Sequence, residues 1–578
     1  MNVLYRVILI ACSLLSLSTP AWADTTISIT GSVTQPLYLS LADMEGFGSH
    51  ATVRLNEAYR DGSFHGVFSC HGPTLQSLLD LAGIKKEGAE FVKKVDMALV
   101  VRNARGEQAV LSWGEVFFRN PAEIIIATKA VPIMPMLFDE MRPDWKEQMK
   151  RSIEFPKLVI AHDFYTDRCL EDITGIEVVH LDSEPKGKKG DPFSATHVVV
   201  SGEGIKPLEV KKLSDFDRIE VPTKHVGPGK GFHGCQMFTG ARLVDILAGA
   251  GLEPEPASFL LASSTDGYRS LISWGELFQT PAGHNIMIAD TLDGTSTKEK
   301  NMGAFTLVFP HDLASDRCVK GLSTIEVISV KRKPTLYVIS VGCSQSDLIT
   351  LEALSAFAKA DAFVCSEEQK NQYARYIGDR PILFDPFQSL REIIHKEHPE
   401  LSAAEKKEHL KGTKAAEAKI ITQAMSQGKS VAYLEYGDPA IYGSGRFFQD
   451  YVNKDQLEII PGISAFNASN ALLERDISGN GSIIISSPKG LSGNEAMIKA
   501  VADNGDTLVI FMGLKDMTSL VPLLDTYYPA STPACLVYNA GLTAKEKVVR
   551  TTLADLLSAA QQEQEQWLGL IYVGEKLK

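Results

Sequence analysis

From residue 335 to the end, short apolar runs without polar alternation recur between longer amphipathic stretches: TLYVISV, DAFVC, SVAYL, LEII, SIIIS and TLVIF. A strand covered on both faces needs no polar side, so this pattern predicts a parallel, doubly wound α/β sheet. The first 330 residues read differently. Their strands are short and alternating, and they surround one amphipathic helix carried by Leu75, Leu78, Leu79 and Leu81.

That first part is a duplication. Laying residues 27–180 over 196–330 brings the same landmarks into register. Phe64-His65-Gly66 matches Phe232-His233-Gly234, with Gly72 or Gly240 six residues beyond. LQSLLDLAGI matches LVDILAGAGL, SWGEVF matches SWGELF, HDFYTDRC matches HDLASDRC, and ITGIEVVHL matches LSTIEVISV. Each copy holds one cysteine near Phe-His-Gly and another in Asp-Arg-Cys. In an oxidising compartment these predict bridges Cys70–Cys169 and Cys235–Cys318, each stabilising by about 4 kcal/mol through loop closure; buried free thiols are the alternative. His65 and His233 recur together, and a histidine pair beside glycine reads as structural rather than as metal ligands.

Composition bounds the partners. The 578 residues carry a formal charge of −13, which excludes a basic stripe for nucleic acid or an anionic membrane surface. KGKKG (186–190) and KRK (331–333) read as solvated linkers. Residues 1–23, with Arg6, an apolar run from Val7 to Leu17 and Ala-Trp-Ala at 21–23, predict a secretory signal and export to a periplasm; no run is long enough for an integral membrane span. No Cys-x-x-Cys-His haem attachment and no zinc-like pair of Cys-x-x-Cys motifs is present, so no metal site is expected.

In the C-terminal part three loops follow apolar strands: Gly342 to Asp347, the stretch YGDPAIYGSG (436–445), and Pro461-Gly462-Ile463-Ser464-Ala465. Ligands of such sheets bind at the carboxyl ends of strands, where glycines let the backbone approach and helix starts offer free N–H groups. Read in order, LYVISVG, DLITLEAL, ADAFVC, GKSVAYLEYGDPAIYGSG, LEIIPGISAFNASNALL, TLVIFMGL and GLIYVGEKL resemble the tetrapyrrole methylase family. The resemblance spans roughly 335–578. It implies two α/β lobes, S-adenosyl-L-methionine as cofactor and a small tetrapyrrole-like substrate. It assigns Gly437, Asp438, Ile441 and Tyr442 to the ribose and amino-acid parts of the donor, Ser464 and Ala465 to the turn beside it, and Met512 and Ala540 to the adenine. Asp347, closing the first loop beside the acceptor, is the candidate catalytic residue. A homodimer is implied by the same relatives. The first loop departs from the family's usual Gly-x-Gly-Pro-Gly-Asp-Pro, reading GCSQSD here, and a shorter loop alters the acceptor pocket.

The two N-terminal copies resemble the oxidoreductase molybdopterin-binding domain of the sulfite oxidase fold, through the Gly-x-x-Leu-x-x-Leu-Leu-x-x-Ala-Gly helix, the SWGE-like strand and the terminal IEV strand. In catalytic members a cysteine thiolate upstream of that helix ligates molybdenum. ATVRLNEAY and DRIEVPTKH hold no cysteine, which argues against bound molybdopterin. The resulting expectation is an α/β chain: signal peptide at 1–23, α+β sulfite-oxidase-like repeats at 24–182 and 195–332, and a two-lobed tetrapyrrole methylase domain at 334–578. The expected function is S-adenosylmethionine-dependent methylation of a tetrapyrrole-like acceptor. The alternatives are an exported, non-catalytic tetrapyrrole- or haem-binding module and, third, a molybdopterin-dependent oxidoreductase. Export stands in tension with a cytoplasmic methyl donor.

Overall fold

The computed structural model describes residues 26–86, 89–133, 143, 147, 149–180, 193–202, 205–227, 231–249, 258–329, 333–343, 346–387, 402–443 and 447–578. The expected signal peptide, KGKKG, most of KRK and part of the first C-terminal loop lie outside them. The chain divides into two compact units, Met1–Arg332 and Lys333–Lys578. Among the described residues no helix is long and apolar enough to cross a membrane.

In the first unit the duplication is repeated in the topology. One five-stranded sheet runs in the order Leu37–Ser40, Thr26–Gly31, Ile173–His180, Met97–Asn103, Gln108–Ser112. Its counterpart runs Ile205–Val210, Val198–Gly202, Leu322–Ser329, Ser258–Ser264, Arg269–Ser273, the same order of equivalent strands. In both, the first and last long strands of the copy pair in parallel and the remaining neighbours are antiparallel. The amphipathic helix spans Leu75–Ala82, capped by Thr74, whose hydroxyl accepts the Ser77 N–H. It buries Leu75, Leu78, Leu79 and Ala82, whereas Leu81 is 44% exposed. The expected core position is therefore corrected from Leu81 to Ala82, which completes the i, i+3, i+4, i+7 stripe.

The recurring motifs meet where the copies join. Ser112 and Ser273 each cap a short helix, accepting the Glu115 and Glu276 N–H groups. Each hydroxyl also donates to the other copy's glutamate: Ser112 Oγ to Glu276 at 2.8 Å and Ser273 Oγ to Glu115 at 2.7 Å. Arg168 spreads over Asp163 and Glu115 of its own copy and reaches Ser273 Oγ of the other. Arg317 does the same with Asp312, Glu276 and Ser112 Oγ. Gly114 and Gly275 make room for this, because a Cβ on either would stand 2.1 Å from the opposite copy's arginine. Burial pushes Glu115 up, but the Arg168 charge and His162 outweigh it and hold the carboxyl below its ordinary range.

The expected disulfides are not formed: all seven cysteines among the described residues are free thiols. Cys70 faces the core of the first copy, and the Cys169 sulfur accepts the Ile160 N–H at 3.3 Å. Burial pushes these two thiols up to about 11 and about 12, so both stay protonated. The second pair fails for a reason of register. Aligned on the glycines, the counterpart of Cys70 is the buried Phe238, and Cys235 stands three positions earlier. An odd offset along a strand reverses the face, so Cys235 is exposed.

A second ionic group closes the first copy's interior. Glu57 and Lys157, both fully buried, pair with each other, Arg151 bonds Glu57 and Glu171, and Lys157 lies 2.9 Å from Glu171. Burial alone would raise Glu171; the Arg151 hydrogen bonds and the Lys157 charge outweigh it and bring the carboxyl down to about 2. A carboxyl depressed in the folded state stabilises above its unfolded value and loses that contribution as pH falls through the folded one. Acidification from 4.5 towards 2 is therefore expected to lower the melting temperature more steeply in the wild type than in Glu171→Gln. Parallel acid limbs in calorimetry would contradict this.

In the second unit, the first sheet runs Ala362–Val364, Val431–Glu435, Leu336–Ser340, Leu457–Ile460, all parallel, as the apolar runs predict. The second sheet corrects the expectation. Ile483–Ser486 and Thr507–Phe511 are parallel, but Gly569–Val573, Pro533–Tyr538 and Lys547–Thr552 pair antiparallel. The last two are joined by residues 539–546, too short for the dozen or so residues that a parallel crossover requires.

Candidate functional site

The parallel order of the first sheet sets the ends of Val431–Glu435, Leu336–Ser340 and Leu457–Ile460 side by side, and with them the three glycine-bearing loops. They are tied together at the start. Gly437 N–H donates to Gly342 O at 2.8 Å and Val341 N–H to Glu435 O at 2.9 Å. The Ser340 hydroxyl donates to Gly437 O and accepts the Gly342 N–H. A Cβ on Gly462 would lie 1.9 Å from the same Ser340 Oγ, so the third loop packs on this hydroxyl as well.

The middle loop is a tight turn. Asp438 Oδ1 accepts the Ala440 N–H at 2.8 Å, and Asp438 O accepts the Ile441 N–H at 3.0 Å. Tyr442 follows at φ +61°, is 52% exposed, and sets its ring 5.3 Å from Phe511 at the end of a second-lobe strand. In the third loop Ser464, buried, caps the nine-residue helix Ala465–Leu473 by accepting the Asn467 N–H.

Beside Phe511 lies a cavity of about 150 Å³. Ala465, Met512 and Ala540, three of the expected donor residues, line it, together with Cys343, Phe511 and Trp567. Cys343 Sγ stands 3.6 Å from Ala540 O, and burial raises its thiol. Met512 (φ +57°) and Asn539 (φ +51°), also in the lining, share with Tyr442 a left-handed backbone that side chains rarely adopt. Such conformations concentrate at functional sites.

Gly437, Asp438, Ile441 and Tyr442 form the turn and reach the cavity's wall through the Tyr442–Phe511 contact. Ser464 sits at the helix start whose first residue, Ala465, lines it. Asp347 is not brought in: it lies in the exposed one-turn helix Ser346–Leu348 and does not line the cavity. Ser344, Gln345, Ser444 and Gly445 lie outside the described residues. Sequence reading missed Ser340, Cys343, Phe511, Asn539 and Trp567. Of these, Phe511 belongs to the apolar run TLVIFMGL and Trp567 stands two residues before GLIYVGEKL.

A further cluster, Glu115, His162 and Asp163, offers three ligand atoms within 4.8 Å. Both carboxylates are already engaged by Arg168 at 2.7 Å, which satisfies their charge without an ion.

The sequence profile described as tetrapyrrole (corrin/porphyrin) methylases matches residues 335–557. A cobalt-precorrin-4 C(11)-methyltransferase of Methanocaldococcus jannaschii is 32% identical over 166 residues, which is 27% of this chain and 64% of that protein. A uroporphyrinogen-III C-methyltransferase of Bacillus subtilis is 27% identical over 247 residues, 41% of this chain and 89% of that one. The X-ray structure of a cobalamin biosynthetic enzyme, cobalt precorrin-4 methyltransferase, superposes with a TM-score of 0.34 at 21% identity, over 42% of this chain and 96% of that one. The chain thus spans less than two thirds of the first of these relatives. With its motifs in order, its lobes of α/β type and its loops gathered at the strand ends, the segment 335–557 is a tetrapyrrole methylase domain.

Proposed function

We propose that the C-terminal unit is a methyltransferase that takes its methyl group from S-adenosyl-L-methionine and delivers it to a small tetrapyrrole-like acceptor. The observation that carries this reading is the cavity of about 150 Å³ next to the Gly437–Tyr442 turn, inside the methylase segment. Its volume suits one flat ring system and is too small for a macrocycle. The apolar walls given by Phe511, Met512, Ala540 and Leu570 fit a base, and the turn beside it exposes backbone to a sugar and an amino-acid tail. The bound donor would supply an electrophilic methyl on sulfur. The chain's own share is to hold donor and acceptor in line and to exclude water, an effect of orientation that needs no proton relay.

The relatives named for acting on precorrin-4 and uroporphyrinogen III support the acceptor class. The second reading is a tetrapyrrole- or haem-binding module without transfer, which the departure of the first loop, GCSQSD, from the family's usual Gly-x-Gly-Pro-Gly-Asp-Pro supports. The two N-terminal copies are, in this proposal, sulfite-oxidase-like scaffolds without a molybdenum centre. In the first, ATVRLNEAY, the stretch expected to supply a metal thiolate, holds no cysteine, and its Glu57 is buried in ion pairs with Lys157 and Arg151. Residues 1–23 are proposed as an export signal, which cell fractionation tests.

Calorimetric titration of the purified chain separates the readings. Saturable S-adenosylmethionine binding that weakens about tenfold or more in Asp438→Ala, where the cap on the Ala440 N–H is lost, is the expected result. Binding of haem with no response to the donor would overturn the methyltransferase.

A further inference from the structure

The two copies of the N-terminal unit differ where the hairpin meets the Asp-Arg-Cys segment. The first closes that space with its own ion pairs, Glu57 and Glu171 holding Lys157 and Arg151. Strand register and the shared motifs set Leu55, Glu57, Lys157 and Glu171 against Thr223, His225, Thr306 and Lys320. The second copy therefore lacks both carboxylates, and a lysine stands in place of one. Thr223, His225, Cys318 and Lys320 there line a cavity of about 390 Å³. Thr223 is 4% exposed, yet among the described residues its Oγ1 has no hydrogen-bond partner, whereas its counterpart Leu55 packs in an apolar core. A buried hydroxyl left unpaired is costly, which points to a partner that the chain itself does not supply.

The charges of the lining select that partner. Asp316 is met by Lys93 at 3.5 Å, and Asp266 Oδ1 accepts the Tyr268 N–H at 2.9 Å, so both carboxylates are engaged. Burial lowers the His225 ring and pushes the Cys318 thiol up to about 11, which keeps both uncharged near neutral pH. Lys320, exposed, is the cation left to meet an anion. Phe193, Phe238 and Met302 add apolar wall. We propose that the second copy binds a small organic carboxylate in this cavity. Lys320 and the Thr223 hydroxyl hold its carboxylate, in place of the one that Glu171 supplies in the first copy, and its apolar body lies against Phe238 and Met302. The site belongs to the N-terminal unit and is independent of the methyl-donor reading.

Benzoate titrated into the full chain and followed by heat tests the assignment, with benzylamine as a similar body of opposite charge. Saturable binding of one benzoate per chain, about millimolar or tighter, with no binding of benzylamine, is the expected result. Lys320→Glu, which installs the first copy's residue at an exposed position, should weaken benzoate about tenfold or more. Thr223→Val removes the hydroxyl and keeps the shape. It should weaken benzoate about tenfold while the melting temperature of the ligand-free chain holds or rises, a pair of signs that a merely structural threonine would not give. Benzoate bound equally by the wild type and Lys320→Glu lies elsewhere and overturns the proposal. So does benzylamine bound as tightly as benzoate, or a wild type that binds no benzoate. A Thr223→Val chain that melts lower and binds benzoate as before overturns the part given to the hydroxyl.

Discussion

Arg168→Ala is expected to destabilise the N-terminal unit by about 3–5 kcal/mol, read from its urea unfolding midpoint. The guanidinium is 2% exposed, and it donates to both carboxylates of its own copy and to Ser273 Oγ of the other. Truncation leaves the buried carboxyls of Asp163 and Glu115 without their cation, and a buried charge that loses its partner costs more than the pair itself contributes. Arg317→Ala should cost less although the geometry is mirrored. Arg119 lies 3.1 Å from Glu276 and 3.8 Å from Asp312, so those carboxylates keep a cation. Near Glu115, among the described residues, the His162 ring is what remains to offer one, at 3.7 Å and when protonated. The double variant should lose less than the sum, because the two fans share the Ser112–Glu276 and Ser273–Glu115 bonds. A loss below about 1 kcal/mol for Arg168→Ala, or the opposite ranking, would show that the network sets register without stabilising.

This network also marks how far the sequence could be read. SWGE and DRC stand out because they recur, yet recurrence does not say that each copy's glutamate accepts a hydrogen bond from the other copy's serine. That reciprocity needs two chain segments more than 150 residues apart, Ser112 and Glu276 for instance, to meet. The helix was legible because its stripe has a period; only its last position slipped from Leu81 to Ala82, where a small residue gives a weaker hydropathy signal. The disulfides failed because a cysteine's neighbourhood in sequence says little about its face. A count of two along the strand from Gly240 would have shown that Cys235 turns away from Phe238.

In the C-terminal unit the first sheet followed from uninterrupted apolar runs, since helices cover both faces. The same runs in the second sheet could not reveal strand direction, which the short 539–546 connection decides. The turn residues of the site were legible because glycine, aspartate and proline carry backbone information. Cys343, Phe511 and Trp567 were not, because residues that contribute apolar wall follow no spacing rule; they are recognised only when the second lobe's strand ends meet the first lobe's loops.

Gly443→Ala should therefore separate the turn's contribution to ligand binding from its contribution to folding. A Cβ at 443 would fall 2.5 Å from Pro439 O and 2.6 Å from Pro439 Cα, both backbone atoms that cannot swing aside. The Asp438–Ile441 turn must open, and Tyr442, held at φ +61°, must leave its 5.3 Å contact with Phe511. On the proposed donor site this turn would meet the ligand through its backbone, so S-adenosylhomocysteine affinity is expected to fall about a hundredfold, roughly 2.7 kcal/mol. The fold should lose little, because Ala440 and Tyr442 are exposed and the strand Val431–Glu435 ends before the turn. Tyr442→Gly gives the complementary result. Glycine removes the left-handed strain, about 1 kcal/mol, so the melting temperature should hold or rise, while loss of the ring beside Phe511 weakens the donor. Unchanged affinity in both variants would remove the turn from the site and leave the cavity beyond Phe511 to bind its ring alone.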